Sequence, residues 1–128
     1  MAPLTRILMV EDEPDIQVVA RLALEAVGGF TVHICGSGWD ALRQAPDFGP
    51  DLVLLDVMMP GIDGPGTLMA LRRVPEMAAV PVVFMTAKVQ ALEVEGLRAL
   101  GALDVIAKPF DPMTLSTTIR RIWADQHE

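Results

Sequence analysis

The chain is poor in cysteine and in basic residues, and each shortage argues against a class of protein. A single cysteine, Cys35, has no partner in the chain for a disulfide, which favours a reducing compartment over a disulfide framework. Lys and Arg number 10 against 17 Asp and Glu, and the formal net charge is -7. Because a nucleic-acid-binding surface needs clustered basic residues to neutralise phosphates, we predict no nucleic-acid partner.

The chain also lacks long apolar runs, and its first residues do not show the pattern of a signal peptide. No apolar segment of the chain approaches the roughly 20 residues that a helix needs to span a bilayer. The first residues, MAPLTRILMVEDE, turn acidic after a short apolar stretch and lack the pattern of a signal peptide. We therefore predict a cytoplasmic location without membrane insertion.

The sequence does contain ample material for a hydrophobic core. At 128 residues and 52% apolar composition, it suits one domain covering residues 1–128. Short runs rich in Val, Ile and Leu predict strands at residues 6–10, 30–35, 51–56, 80–86 and 103–107. Several of these runs are nearly continuous in apolar character, which is typical of parallel strands covered on both faces.

Helical patterns fill the gaps between these strands. Apolar residues within 16–27 recur on one helical face, and two glycines follow where a helix would stop. Near the C-terminus, Asp111 is a predicted N-cap with Pro112 at the first helical position. The other helices are predicted at 37–45, 64–74 and 88–100. Strands that alternate with helices in this way predict an α/β fold, a doubly wound parallel sheet with five strands and five helices.

The ionisable residues lie at the carboxyl ends of the predicted strands. Glu11 and Asp12 follow the first strand, and Asp56 ends the third. Thr86 ends the fourth strand and Lys108 follows the fifth. In a doubly wound sheet the ligand site lies beyond these ends, near the point where the strand order reverses. We therefore expect three carboxylates, a hydroxyl and an ammonium to converge there.

This cluster predicts a metal site and a nucleophile. Three carboxylates against one ammonium leave an excess of about two negative charges, and unit charges about 4 Å apart interact by roughly 4 kcal/mol at an effective dielectric near 20. Protonation would relieve the repulsion, and so would Mg²⁺, with Mn²⁺ as an alternative, because both prefer hard oxygen ligands. A carboxylate beside a metal and a lysine can attack a phosphoryl group. Taken singly, each residue also has an ordinary structural interpretation as a cap, a turn acid, a strand residue or a surface charge.

Four segments carry a resemblance to a known family. MVEDEPD, LVLLDVMMPGIDG, VVFMTA and VIAKPFDP resemble the signature segments of bacterial two-component response-regulator receiver domains, here of the CheY-like, single-domain kind. The resemblance extends over residues 7–123. It implies a flavodoxin-like (β/α)5 fold with strand order 2-1-3-4-5 and a role in phosphorelay signal transduction.

The resemblance also implies a role for each acidic residue. Asp56 would be the phosphoacceptor and a metal ligand. Asp12 would bind Mg²⁺ directly, and Glu11 would bind it directly or through a water. The backbone carbonyl of Met58 would supply a further ligand.

Residues from the last two strands would complete the site. By resemblance, the Thr86 hydroxyl would close on the phosphoryl group and Lys108 would pair with its oxygens. Ala87 is small, as is usual in the family, and leaves room for a phosphodonor or water. The Lys108–Pro109 peptide bond is expected to be cis.

One position departs from the family pattern. Val105 stands where these domains commonly carry Tyr or Phe as a rotamer switch coupled to the threonine, and the chain has no Tyr. A valine cannot swing between buried and exposed rotamers as an aromatic ring does. The resemblance therefore implies a weaker or differently routed coupling between Asp56 and the face formed by roughly residues 89–127.

The resulting hypothesis is a stand-alone receiver. It would take a phosphoryl group from a histidine kinase or a histidine phosphotransfer protein and signal by binding a protein target through the face 89–127, as a monomer or weak dimer. It would promote only its own phosphorylation and dephosphorylation, so it would not be an enzyme with a diffusible substrate. Two alternatives remain: an unphosphorylated pseudo-receiver, and a Mg²⁺-dependent phosphohydrolase with an aspartate nucleophile.

Overall fold

The computed structural model describes residues 3–126, so the ends of the predicted domain 1–128 and of the predicted face 89–127 lie outside the described residues. Within them, five strands alternate with five α-helices. The strands are β1 (Arg6–Val10), β2 (Thr31–Cys35), β3 (Leu52–Asp56), β4 (Val82–Thr86) and β5 (Asp104–Ala107). The helices are α1 (Pro14–Arg21), continued by a π-helical segment (Leu22–Val27), α2 (Gly38–Phe48), α3 (Gly64–Leu71), followed by a 3₁₀ turn (Pro75–Met77), α4 (Ala91–Ala99) and α5 (Leu115–Gln126).

All neighbouring strands of the sheet run parallel, in the order β2-β1-β3-β4-β5. This confirms the predicted α/β fold and its strand order. Because β1 has β2 on one side and β3 on the other, the chain winds outward in both directions from this point. The crevice between the carboxyl ends of β1 and β3 is therefore where a ligand site is expected.

The two faces of the sheet carry separate hydrophobic clusters. Leu52 and Leu54 of β3 pack with residues of α1, its π-helical continuation and α5. Val53 and Leu55 point the other way and pack with residues of α2 and α3. Every residue of β3 and β4 is buried. Burial on both faces explains why these strands are continuous apolar runs instead of alternating ones.

Helix α4 is attached more loosely than the other helices. None of its residues is buried, and Leu92 is 81% exposed. It also contains Gly96, and glycine inside a helix costs about 1 kcal/mol relative to alanine. No helix among residues 3–126 is long and apolar enough to cross a bilayer.

Several predicted helix boundaries are wrong, each for a local reason. The helix predicted at 37–45 continues to Phe48 and stops at Gly49, whose positive φ of 65° ends it in a left-handed cap. The helix predicted at 64–74 ends earlier, at Leu71. Pro75 begins the next turn, and a proline disfavours helical geometry at the residue before it.

The other two differences lie in the C-terminal half. The helix predicted at 88–100 covers only Ala91–Ala99. Asp111 Oδ1 accepts a hydrogen bond from Met113 N at 2.8 Å in the turn before α5. However, α5 begins at Leu115, so the prediction of Asp111 as its N-cap and Pro112 as its first residue is wrong. Pro112 lies instead in the turn that precedes the helix.

Candidate functional site

Glu11 follows β1 and is held firmly at the crevice. Its backbone N–H continues the ladder to Cys35 O at 3.0 Å, and its carbonyl accepts from Gln17 Nε2 at 2.6 Å. Its carboxylate is fully buried and accepts from Glu13 N at 3.1 Å. These contacts leave the carboxylate little freedom to leave the site.

Asp56 is the last residue of β3 and is only 4% exposed. Beyond it, Val57 N donates to Met85 O at 3.0 Å, and Gly64 N donates to Val57 O at 2.9 Å. The chain thus loops out and returns to the end of β3. A side chain at Gly64 would collide with the Asp56 carbonyl oxygen, so glycine permits this close return.

Three carboxylates meet at this edge of the sheet, as expected. One oxygen from each of Glu11, Asp12 and Asp56 can be chosen so that all lie within 4.8 Å of one another. Lys108 Nζ lies 2.9 Å from Glu11 Oε1 and 3.2 Å from Asp56 Oδ2. The ammonium therefore bridges the two buried carboxylates, while Asp12 is half-buried beside them.

Burial and neighbouring charges alter the pKa values of Glu11 and Lys108. Burial raises the pKa of the Glu11 carboxyl above its usual value, and the nearby Asp56 charge adds to the rise, although hydrogen bonds from Lys108 and Glu13 N oppose it. For Lys108, burial acts to lower the pKa. The hydrogen bond and charge of Glu11, together with Asp56, outweigh burial, so that the pKa of the ammonium is raised.

The residues present fit a hard divalent cation. Three carboxylates with converging oxygens and one ammonium leave uncompensated negative charge in a mostly buried crevice. Oxygen ligands of this kind suit Mg²⁺, which keeps several waters and uses few carboxylates. Glu11, Asp12 and Asp56 are the residues that would hold it.

Thr86 and Lys108 are joined through the backbone. Lys108 N donates to Thr86 O at 2.9 Å, and the Lys108–Pro109 bond is cis. The buried Thr86 hydroxyl accepts a hydrogen bond from Lys88 N at 3.1 Å. Ala87 next to it is exposed.

Two further residues were singled out in the sequence. Met58 is two residues beyond Asp56, with a side chain that is 71% exposed. Val105 stands in β5 opposite Phe84 of β4 and packs, half-buried, against the hydrophobic cluster on the α2 and α3 side.

Two residues that contribute to the structure of the site were not predicted from the sequence. Gln17 donates to the Glu11 carbonyl from the first turns of α1, and its polar character gave no signal of that contact. Gly64 lies against the Asp56 carbonyl. Its place in the turn-rich segment after Asp56 was a usable signal, because glycine is favoured where backbones approach closely.

Fold and site together define a class: a doubly wound, flavodoxin-like α/β domain whose crevice holds an acidic cluster and a lysine. The model of the response regulator receiver domain matches residues 7–120. The chain belongs to this family and is therefore a receiver domain of phosphorelay signalling.

Relatives and solved structures agree with this assignment. The transcriptional regulatory protein CseB of Streptomyces coelicolor is 39% identical over 123 residues, which cover 95% of this chain and 50% of CseB. The DNA-binding response regulator MtrA of Mycolicibacterium smegmatis is 38% identical over 116 residues, covering 90% and 49%. The chain thus spans about half the length of the curated relatives it matches. The chemotaxis response regulator CheY4 of Vibrio cholerae superposes with a TM-score of 0.85 at 27% identity, covering 94% of this chain and 99% of CheY4.

Proposed function

We propose that the chain accepts a phosphoryl group on Asp56 from a histidine kinase or a histidine phosphotransfer protein, in a reaction that requires a divalent cation. The observation that carries the proposal is the environment of Asp56. Its buried carboxylate ends β3 at the crevice, 3.2 Å from Lys108 Nζ, within a cluster of three carboxylates. Ionisable groups that burial and close charge partners perturb are concentrated at functional sites.

The chemistry assigns a role to each residue. An Asp56 carboxylate oxygen forms a bond to phosphorus as the phosphorus–nitrogen bond of the donor phosphohistidine breaks and the imidazole leaves. Lys108 pairs with the phosphoryl oxygens, and the Thr86 hydroxyl donates a hydrogen bond to one of them. Mg²⁺, when held by the acidic residues and the Met58 carbonyl, offsets the charge on the transferring group. Ala87 is small and exposed, so it leaves room for the phosphodonor to approach Asp56.

The output is proposed to be protein binding. Phosphorylation adds about -1.5 to -2 charges, and engagement of Thr86 and Lys108 by the phosphoryl group biases the face formed by residues 89–127. A stand-alone role as a monomer or weak dimer is part of the proposal. The absence of a nucleic-acid partner stays a prediction, and it applies only to the residues of this chain. The relative CseB is a transcriptional regulatory protein, and the relative MtrA is a DNA-binding response regulator.

The site argues against the two alternatives. An unphosphorylated pseudo-receiver would lack part of the acidic pair, the phosphoacceptor or the lysine, and here all are present together. A phosphohydrolase of this type needs a second Asp two residues after the nucleophile. Met58 stands at that position and has no acidic group. We therefore propose no turnover of a diffusible substrate, so the chain is not an enzyme in that sense.

The direct test is incubation with a small acyl phosphate, with and without Mg²⁺, followed by intact-mass measurement. We expect a single phosphoryl adduct that needs the divalent ion and is absent in Asp56→Asn. Asp47→Asn is the matched control, because Asp47 is an exposed acid of α2 outside the site. An adduct that persists in Asp56→Asn, or that forms equally in a chelator, would contradict the proposal.

A further inference from the structure

Glu93, in the first turn of α4, carries an unused hydrogen-bond acceptor. Its Oε2 atom is buried and has no hydrogen-bond partner among residues 3–126. A buried polar atom without a partner costs free energy, and most such atoms in folded proteins are paired. The unpaired oxygen therefore calls for an explanation.

The segment between β4 and α4 contains a hydrogen-bond donor whose acceptor, the Thr86 hydroxyl, is also proposed to contact the phosphoryl group. Lys88 N donates to the Thr86 hydroxyl oxygen at 3.1 Å. In the proposed function the Thr86 hydroxyl turns toward a phosphoryl group on Asp56, and this rotation would move its oxygen away from Lys88 N. Lys88 is exposed and its present hydrogen bond is only partly buried, so its amide then becomes available to a new acceptor that competes with water.

Glu93 is well situated to be that acceptor. Lys88 and Glu93 line the same surface cavity of about 410 Å³. Gln90 is the N-cap of α4 and makes no side-chain capping bond, so Glu93 occupies the third helical position. From there a glutamate side chain reaches back over the start of the helix. With no buried residue in α4, a small shift of the helix costs little packing.

We propose that Glu93 is a positioning residue of the phosphoryl site: its free carboxylate oxygen accepts the Lys88 amide when the Thr86 hydroxyl turns toward Asp56. This inference rests on the proposed function. It couples the position of the Thr86 hydroxyl to the position of α4 without the involvement of Val105. Closure of the site draws the first turn of α4 toward residues 87–90 and moves the exposed Leu92 with it.

The test compares Glu93→Ala with Glu95→Ala, an exposed glutamate on the same helix. The probe is beryllofluoride with Mg²⁺, a non-covalent mimic of the phosphoryl group. Glu93→Ala is expected to bind the mimic about tenfold more weakly, the effect of losing one hydrogen bond to a charged acceptor. Glu95→Ala should bind as the wild type does, and Glu93→Gln should recover most of the affinity because its amide oxygen can still accept.

Two readouts separate this role from a purely structural one. Without ligand or metal, Glu93→Ala should melt no lower than the wild type, because the change removes an unpaired buried oxygen. In the wild type, the Lys88 amide should stay protected from hydrogen exchange when the mimic binds, because Glu93 replaces Thr86 as its acceptor, and in Glu93→Ala binding of the mimic should remove that protection. The same loss is expected when Lys88 is also changed to alanine, since that substitution keeps the amide.

Equal affinity of Glu93→Ala and the wild type for the mimic would overturn the inference. So would an effect that disappears in the Lys88→Ala background, because the ammonium would then be the partner. Failure of the wild type to bind the mimic, or to form a phosphoryl adduct, would instead contradict the proposed function itself.

Discussion

Cys35 shows how burial changes the chemistry of one residue. It ends β2 with no exposed surface, and its Sγ donates to Gln44 Oε1 at 3.5 Å. Burial, helped by the charge of Asp40, raises the pKa of the thiol to about 11 from the usual 9.0. The thiolate is the reactive form of cysteine, so the native protein should resist alkylation at pH 8.

The raised pKa of Cys35 also predicts a pH dependence of stability. Between the usual value of 9.0 and about 11, the unfolded chain loses the thiol proton while the folded chain retains it. The unfolded state then binds fewer protons, so stability falls as pH rises through this window. Urea unfolding at several pH values should show a steeper loss from pH 9 to 11 for the wild type than for Cys35→Ala. Parallel curves would contradict the assignment.

At the level of elements, the glycine at the start of α3 and the glycine inside α4 have different structural roles. Gly64 begins α3 against the end of β3, where an added Cβ would meet the Asp56 carbonyl and lie 2.8 Å from Val57 Cα. Gly96 lies inside α4, and a Cβ there would meet nothing within 4 Å. The first glycine is required by packing, and the second only weakens its helix.

This contrast predicts opposite effects of the same substitution. Gly64→Ala should lower the free energy of unfolding by about 1–3 kcal/mol, the usual cost of overpacking, and weaken Mg²⁺ binding because the end of β3 must shift. Gly96→Ala should raise the free energy of unfolding by up to about 1 kcal/mol. Denaturant unfolding and a Mg²⁺ titration measure both effects. If Gly64→Ala were as stable as the wild type, the close return of the loop would be wrong.

At the level of the whole molecule, one ion-pair cluster joins three strands. Lys108 and Glu11 are 97 residues apart in sequence, and Asp56 brings β3 into the same cluster. Breaking a buried pair leaves an uncompensated charge and is strongly destabilising. The site therefore contributes to the stability of the sheet as well as to its chemistry.

Removal of Lys108 tests this dual role. In chelator, Lys108→Ala should be less stable than the wild type by about 3 kcal/mol, since Glu11 and Asp56 then repel without an ammonium between them. Mg²⁺ should raise the melting temperature of both proteins, because a ligand that binds the folded state stabilises it, and should raise that of the variant more. Arg73→Ala, at an exposed arginine, is the control and should change stability by less than about 0.5 kcal/mol. Equal Mg²⁺ shifts in wild type and variant would contradict a shared site.

Much of the molecule could be predicted because its signals are local. Continuous apolar runs indicated the buried parallel strands, and strand ends indicated where Glu11, Asp56 and Lys108 would meet. The boundaries of α2, α3 and α4 could not be predicted as well from the sequence. They depend on a left-handed Gly49, on a proline turn at Pro75 and on how weakly α4 packs, which apolar spacing does not encode.

By itself, the sequence determined the α/β fold and the group of residues at the crevice, because hydrophobic periodicity and strand ends are properties of short segments. The strand order was expected only from the family resemblance. Only the tertiary structure decided which atoms pair. It joined Lys108 to Glu11, brought Gly64 against the Asp56 carbonyl and left Glu93 Oε2 without a hydrogen-bond partner among residues 3–126. These contacts depend on side-chain packing between segments far apart in the chain, and no local pattern specifies that packing.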